Sequence, residues 1–370
     1  VKSIRVIDAG YVEPLQSMAI FHAIAATMQP GDSPVLTLVN PTRPFVSVGL
    51  HQDIEIEVDT AYCARAGLPI LRRDVGGGAV YLNRDQMFFH FIYPYQEAPA
   101  RVEAIYQYFM APVLATYQSL GVPAVFRPVN DIHVHGRKIG GTGSARIENA
   151  TVMVGSFMFD FDMDTMVQCL KVSSEKFRDK LRQGMQDYMT TLTRELGVPP
   201  ERDVVKQGFL DAIRQHLQRA PEISSLTAAE RASLADVEQW LQDPEWVQQK
   251  GRKLVPTGVK IAAGTYLVEG VHKARGGLIR TRMLLRDHSL EDLEISGDFT
   301  VLPADGVERL AAALRGVRLP TAQEGETAHA ERAALQERVA TLLEELALDI
   351  PGVEVADWVA ALLQGMHHEK

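Results

Sequence analysis

Three consecutive glycines, Gly76-Gly77-Gly78, sit between Leu71-Arg72-Arg73-Asp74-Val75 and Ala79-Val80-Tyr81, and no other stretch constrains the fold as tightly. A glycine triplet weakens a strand and carries no side chains, so its presence implies a turn or a close approach of backbone. The polar run Asn83-Arg84-Asp85-Gln86 follows, and Met87 to Tyr93 is then too aromatic and apolar for a loop. The pattern predicts strand, exposed glycine turn, strand. Two guanidinium groups, Arg72 and Arg73, precede the turn. Arginine makes planar, bidentate contacts to phosphate or carboxylate, and bare backbone N–H groups add donors. The turn is a candidate cradle for an anion or a nucleotide, although a hairpin turn beside solvated arginines fits the same residues.

A second stretch, NDIHVHGRKIGGTGSAR from Asn130 to Arg146, repeats the grammar: a short strand, a turn at Gly136, Lys138 on the next strand, then Gly140, Gly141 and Gly143. Two glycine hairpins carrying cations predict a pocket for a phosphate-bearing ligand. Neither has the GxxxxGK[ST] spacing of a P-loop nor a GxGxxG opening a helix, so hairpin backbone and side chains would hold the phosphate. His133 and His135 share one strand face, but no third ligand has metal-binding spacing.

Taken in order, RRDVGGGAVY and NDI-x3-GRKIGG resemble the lipoate–protein ligase family, within the group that includes biotin ligases and octanoyl transferases. The family pattern is RRxSGGGxVYHDxGN, then ND[IL] and a GRKI[SAG]G lysine hairpin, then a strand ending in HG[ST]. The last reads here as Val154-Gly155-Ser156, and the likeness runs from about residue 3 to 215. It implies an α+β fold with mixed or antiparallel sheets flanked by helices, followed by a small α+β accessory domain. It also implies ATP-dependent activation of lipoate to lipoyl-AMP with release of pyrophosphate, then transfer to a specific lysine of a lipoyl carrier protein. The implied cofactors are ATP and Mg²⁺, and the implied substrate is lipoate or a related medium-chain acid.

Residue by residue, Lys138 matches the family's catalytic lysine. Arg73, Gly76, Gly77, Gly78 and Ala79 match the acyl and phosphate cradle. Asn130 and Asp131 match the ND pair, and Gly140, Gly141 and Ser156 complete the binding set. From its chemistry, Asp131 either holds Mg²⁺ or orients the incoming amine. Three departures stand out. Val75 replaces the usual serine, Leu82-Asn83-Arg84-Asp85-Gln86 replaces HDxGN, and Val154 stands where the pattern has histidine. They make the expected acyl pocket more apolar and leave Lys138 and the glycines intact.

The rest of the chain fits this frame. Its 370 residues suggest two domains, which we place at 1–220 (catalytic), 221–250 (linker and helix) and 251–370 (accessory, with C-terminal helices). A net charge of −9 argues against a general nucleic-acid binder, and no apolar run is long enough to span a membrane. With two cysteines and no evident leader, the sequence reads as cytoplasmic. Helices are expected over 14–28, 54–67, 102–120, 163–196 and 203–218, and Val35–Val39 and Phe45–Gly49 read as strands joined by a proline turn. Lys176, Arg178 and Lys180 either steer an acidic carrier or form a solvated helix face. Two other functions compete: an octanoyl or lipoyl transferase, which needs an acyl-accepting cysteine, and a non-catalytic lipoyl-adenylate binder. Neither Cys63 nor Cys169 lies in the motif loops.

Overall fold

The structure is a computed structural model that describes residues 2–172, 175–249, 259–262, 265–320 and 326–364. Gly264, the start of one expected strand, the polar linker from Thr321, and Met366 of the last expected helix lie outside the described residues. The chain forms two compact units. The first comprises Val1–Leu50, Ile54–Val75 and Ala79–Gln249, and the second Lys250–Lys370 together with His51–Asp53 and Gly76–Gly78.

The strands of the first unit are β1 (Lys2–Val12), β2 (Val35–Pro41), β3 (Phe45–Val48), β4 (Ile70–Arg72), β5 (Val80–Leu82), β6 (Gln86–Pro94), β7 (Val125–Arg127), β8 (Asp131–Val134), β9 (Arg137–Ile147), β10 (Ala150–Met158) and β11 (Arg219–Ile223). Eight of them form one mixed sheet in the order β11-β1-β2-β6-β10-β9-β8-β7, and β4-β3-β5 form a small second sheet. In the large sheet β1 is parallel to both β2 and β11, while the β2–β6, β6–β10 and β9–β10 pairs are antiparallel.

All nine residues of β6 are buried, Gln86 and His90 included, which explains its largely aromatic and apolar character: both faces of the strand are covered. On one face Phe88 and Ile92 join Val35 and Val39 against helix Pro14–Thr27 and, through Val237 and Leu241, helix Ala228–Gln242. On the other, Phe89 and Phe91 pack on Phe209 of helix Arg202–His216, and Phe91 stacks on Phe109 of helix Val102–Ser119 at 4.8 Å. Alternation along each strand assigns the residues to their faces. The fold is therefore α+β, as the motifs imply.

β2 and β3 are the two expected strands joined by a turn, and they lie in different sheets: β3 pairs with β4 and β5, because the chain leaves the large sheet at Pro41. Three expectations change. The helix expected over 54–67 divides into Ile54–Glu57 and Thr60–Arg65, where Asp59 caps the second by accepting from the Tyr62 N–H at 2.8 Å. The helix expected over 163–196 is three: Met163–Cys169, Glu175–Tyr188 and Leu192–Leu196. Finally, the stretch read as linker and helix, 221–250, falls in the first unit as far as Gln249. Pro221 is tolerated because β11 is an edge strand, and a Thr227–Glu230 capping box starts helix Ala228–Gln242.

The second unit holds an antiparallel sheet of β12 (Val259–Ala262), β13 (Thr265–Ala274), β14 (Gly277–Arg286) and β15 (Ser289–Gly297). Ile279, Met283 and Leu285 on the buried face of β14 meet helix Gly306–Leu314 and the helices Glu326–Glu345 and Val355–Gln364, which bring Leu335, Val339 and Trp358. The C-terminal helices thus complete this unit's core through one apolar side of each.

Candidate active site

The lysine hairpin is β8, a turn at His135-Gly136, and β9. Asp131 lies opposite Gly141 and Ile132 opposite Gly140, and the register then shifts so that His133 faces Lys138. Such an irregularity re-aims side chains locally. Lys138 Nζ lies 2.7 Å from Asp131 Oδ1, with the two side chains 31% and 23% exposed, so the ammonium is accessible while ion-paired. Gly141 makes this arrangement possible. A Cβ there would stand 3.2 Å from both Cε and Nζ of Lys138 and 3.7 Å from Asp131 Oδ1.

Asn130 is committed to holding the hairpin. Its amide donates to the Thr142 carbonyl at 2.7 Å, and its own carbonyl accepts from the Thr142 N–H and hydroxyl at 3.0 and 2.9 Å. Gly140 is closely covered, since a Cβ would lie 3.4 Å from Ile132 Cδ1 and 3.5 Å from the Ser156 carbonyl. Asn130, Asp131, Lys138, Gly140, Gly141 and the backbone of Ser156 on β10 therefore form one cluster. Lys138 is also fixed from behind, because its carbonyl accepts from the Thr190 N–H at 2.9 Å.

The first glycine stretch is built differently. Arg72 is fully buried and donates to the carbonyls of Gly49, Leu50 and Val247 at 2.8 to 3.0 Å, so it clamps backbone within the first unit. Arg73 is 8% exposed and donates to the Ser47 carbonyl and hydroxyl; burial, and then Arg72, bring its pKa down to about 10. Asp74 is raised to about 6 by burial, and its N–H donates to His22 Nε2 at 3.2 Å. His22 gives its Nδ1 proton to the Met18 carbonyl, and burial lowers its pKa to about 4. The nearby His90 is likewise lowered to about 3 by burial.

Gly76–Gly78 belong to the second unit. A Cβ on Gly76 would come within 2.8 Å of the Phe299 carbonyl and 2.9 Å of Thr300 Cα, both backbone atoms, and Gly77 adopts φ 98°. Only glycine fits either position. Ala79 packs instead on the first unit's cluster around Cys63 and Cys169.

Val75, Leu82 and Val154, the three departures from the family pattern, all fall in the single apolar cluster that includes helix Pro14–Thr27. Their loss of polarity matches their surroundings. Cys63 and Cys169 are 0% and 1% exposed and touch each other; that contact and burial push the Cys169 thiol far up. Arg178, read above as either steering an acidic carrier or lying on a solvated face, is buried and donates to the carbonyls of Val167, Gln168 and Leu170. It caps helix Met163–Cys169 and is not available to a partner. Lys180 is exposed. The sequence reading missed His22 and Trp246, whose indole donates to the Arg72 carbonyl at 3.0 Å. They stand 52 and 174 residues from their partners, so no local pattern links them.

The mixed sheet with a lysine hairpin at one end belongs, by the matches that follow, to the class of lipoyl ligase and octanoyltransferase enzymes. The chain belongs to the lipoyl protein ligase A/B catalytic domain family, whose model matches residues 13–214. It is similar to lipoate–protein ligase 1 of Staphylococcus aureus, 28% identical over 201 residues, 54% of this chain and 60% of that protein. The match thus spans less than two thirds of that relative's length. It is also similar to the octanoyltransferase LipM of Halalkalibacterium halodurans, 22% identical over 268 residues, 65% of this chain and 97% of that protein. Among solved structures, lipoate-protein ligase A bound with ATP aligns with a TM-score of 0.57 at 21% identity, over 67% of this chain and 98% of that one. Among the described residues no helix is long and apolar enough to cross a membrane, and no group of three or more metal-ligating side chains occurs.

Proposed function

We propose that this enzyme is an ATP-dependent lipoate–protein ligase, which activates lipoate or a related medium-chain acid as its adenylate and passes the acyl group to a lysine of a carrier protein. The observation that carries this reading is the partly exposed Lys138 ammonium, held beside Asp131 over a position without a side chain. A carboxylic acid is unreactive toward an amine at neutral pH. Its mixed anhydride with AMP is reactive, and both half-reactions gather negative charge at one phosphorus. One fixed cation beside that phosphorus stabilises both transition states. Lys138 supplies it, and Gly141 keeps the space beside its ammonium free of a side chain.

A magnesium ion would neutralise triphosphate oxygens and be held mainly by them, as such ions commonly are. The protein's share would be Asp131, whose Oδ2 is left over when Oδ1 pairs with Lys138. The ATP bound in the structurally similar ligase supports a nucleotide as the co-substrate.

The second reading, an octanoyltransferase, is favoured by the near-complete coverage of LipM. It needs a thiolate, and thiol reactivity follows thiolate access. Burial of both cysteines in an apolar cluster supports the ligase reading. The test is pyrophosphate release from ATP, Mg²⁺ and lipoate or octanoate, with and without a lipoyl carrier domain. We expect acid-dependent release. Transfer from an acyl carrier without ATP, with an acyl-thioester trapped on the protein, would favour the transferase instead.

A further inference from the structure

Tyr11 is 49% exposed near the end of β1, and two guanidinium groups lie over its ring, Arg84 at 5.9 Å from the centroid and Arg202 at 5.6 Å. Arg202 also covers the ring of Phe159 at 4.4 Å and donates to Asn40 Oδ1 at 2.8 Å and to the Arg84 carbonyl at 2.6 Å. Among the described residues neither arginine has a carboxylate partner, although the chain carries 47 acidic residues. Lys206, one turn further along helix Arg202–His216, is by contrast paired with Asp8 and Asp203. Two like charges on one ring repel each other and disfavour the folded state. Hydrogen bonding and packing account for the place of Arg202, but nothing in the fold uses the charge of the exposed Arg84.

The strand register sets this patch at the same end of the large sheet as Lys138. Tyr11 lies opposite Asn40 on β2, Val39 opposite Phe88 on β6, and Gln86 opposite Met158 on β10, so Tyr11, Arg84 and Phe159 share one end. β9 runs antiparallel to β10 and begins at that end, with Lys138 its second residue. The hydrogen bonds agree. The Lys138 carbonyl accepts from the Thr190 N–H, and three residues on Thr193 donates its N–H and hydroxyl to the Phe159 carbonyl at 3.0 and 2.7 Å. Four strand spacings, about 19 Å, separate β1 from β9. A domain of about 100 residues has a radius of gyration near 13 Å, so one that brings a lysine to Lys138 also covers Tyr11. We propose that Tyr11, Arg84 and Arg202 form the docking surface for the carrier domain, which meets them with acidic side chains near its acceptor lysine. Tyrosine and arginine are the residue types enriched at such interfaces, and guanidinium–carboxylate hydrogen bonds are charge-assisted. The proposal rests on the reading that a carrier lysine is the acyl acceptor, and it gives the patch no part in making the adenylate.

The test uses the full chain and an unmodified lipoyl carrier domain. In titration calorimetry without ATP or acid, Arg84→Glu should weaken binding about 10-fold, the scale of one exposed ion pair lost and one repulsion gained, and added salt should weaken wild-type binding. Arg214→Glu, a reversal at the far end of helix Arg202–His216, should leave binding unchanged. ATP–pyrophosphate exchange with lipoate needs no carrier and should be equal in Arg84→Glu and wild type, while in lipoyl transfer KM for the carrier rises and kcat holds. Unchanged carrier affinity in Arg84→Glu, an equal loss in Arg214→Glu, or a loss of pyrophosphate exchange overturns the inference. An octanoyl-loaded acyl carrier protein, titrated in parallel, should not respond to Arg84→Glu; the same response there overturns the assignment to the acceptor domain. A wild type that binds the carrier through Arg84 yet exchanges no pyrophosphate overturns only the ligase reading.

Discussion

Lys138 and Asp74 show how differently two charged groups near the motifs are solvated. Lys138 is partly in water and ion-paired, so replacing it by alanine removes a function and little stability. In Lys138→Ala, pyrophosphate release should fall about 10²-fold or more, the cost of losing one charge-stabilising donor, with thermal unfolding nearly unchanged. Gly141→Ala attacks the same group from the other side. Its Cβ meets the flexible end of Lys138, which must shift, so adenylation should slow while the fold holds. Asp74 is the opposite case. Burial raises its carboxyl to about 6 from the usual 3.8, so the folded state binds its proton more tightly than the unfolded state does. That contribution is complete below about pH 4 and is lost as pH rises through 6. Asp74→Asn should therefore stabilise the protein at pH 8 by up to about 3 kcal/mol and leave it unchanged at pH 3.5, measured by denaturant unfolding at the two pH values. Equal shifts at both would show that the carboxyl is not buried as described.

At the scale of elements, the two cysteines tie helices Thr60–Arg65 and Met163–Cys169 into one apolar cluster, and the Asp59 N–H donates to the Cys169 carbonyl at 2.8 Å. A Cys63→Ala, Cys169→Ala double variant should lose stability of the order of a small buried deletion yet retain acid-dependent pyrophosphate release and lipoyl transfer. Loss of transfer with release intact would point to a thiolate. The lysine hairpin was legible because its chemistry is local: Gly136, Lys138, Gly140 and Gly141 lie within six residues of one another, and strand alternation assigns them. That Met87 to Tyr93 forms a strand was legible from its aromatic, mostly apolar run. The split of 54–67 was not, because Asp59 reads equally as a helix residue and as the cap it becomes. Arg178 misled for a related reason. A basic helix reads as solvated, and the carbonyls that Arg178 caps lie in a separate helix.

For the whole molecule, the compact first unit ends at Gln249, well past residue 214 where the family match stops. The added segment contributes to the core of that unit. Val237 and Leu241 are buried in the cluster that contains Val75, Arg5 pairs with Glu230 at 2.8 Å, and the indole of Trp246 bonds the Arg72 carbonyl. Burying one such aliphatic side chain contributes about 1.5–3 kcal/mol, so losing several exceeds the margin of many domains. Ending the chain after Arg219 should therefore yield a protein without a cooperative thermal transition, whereas ending it after Gln249 should preserve one, followed by near-UV circular dichroism. The longer product would still lack Phe299 and Thr300, whose backbone the second unit sets against Gly76 and Gly77. Its glycine turn would lose that backbone support. We expect the 1–249 chain to bind a preformed lipoyl-adenylate and to make it from ATP and lipoate at least 10-fold more slowly than the full chain, the scale of a displaced positioning group. Equal pyrophosphate release by the two folded proteins would assign the second unit to stability or carrier docking alone.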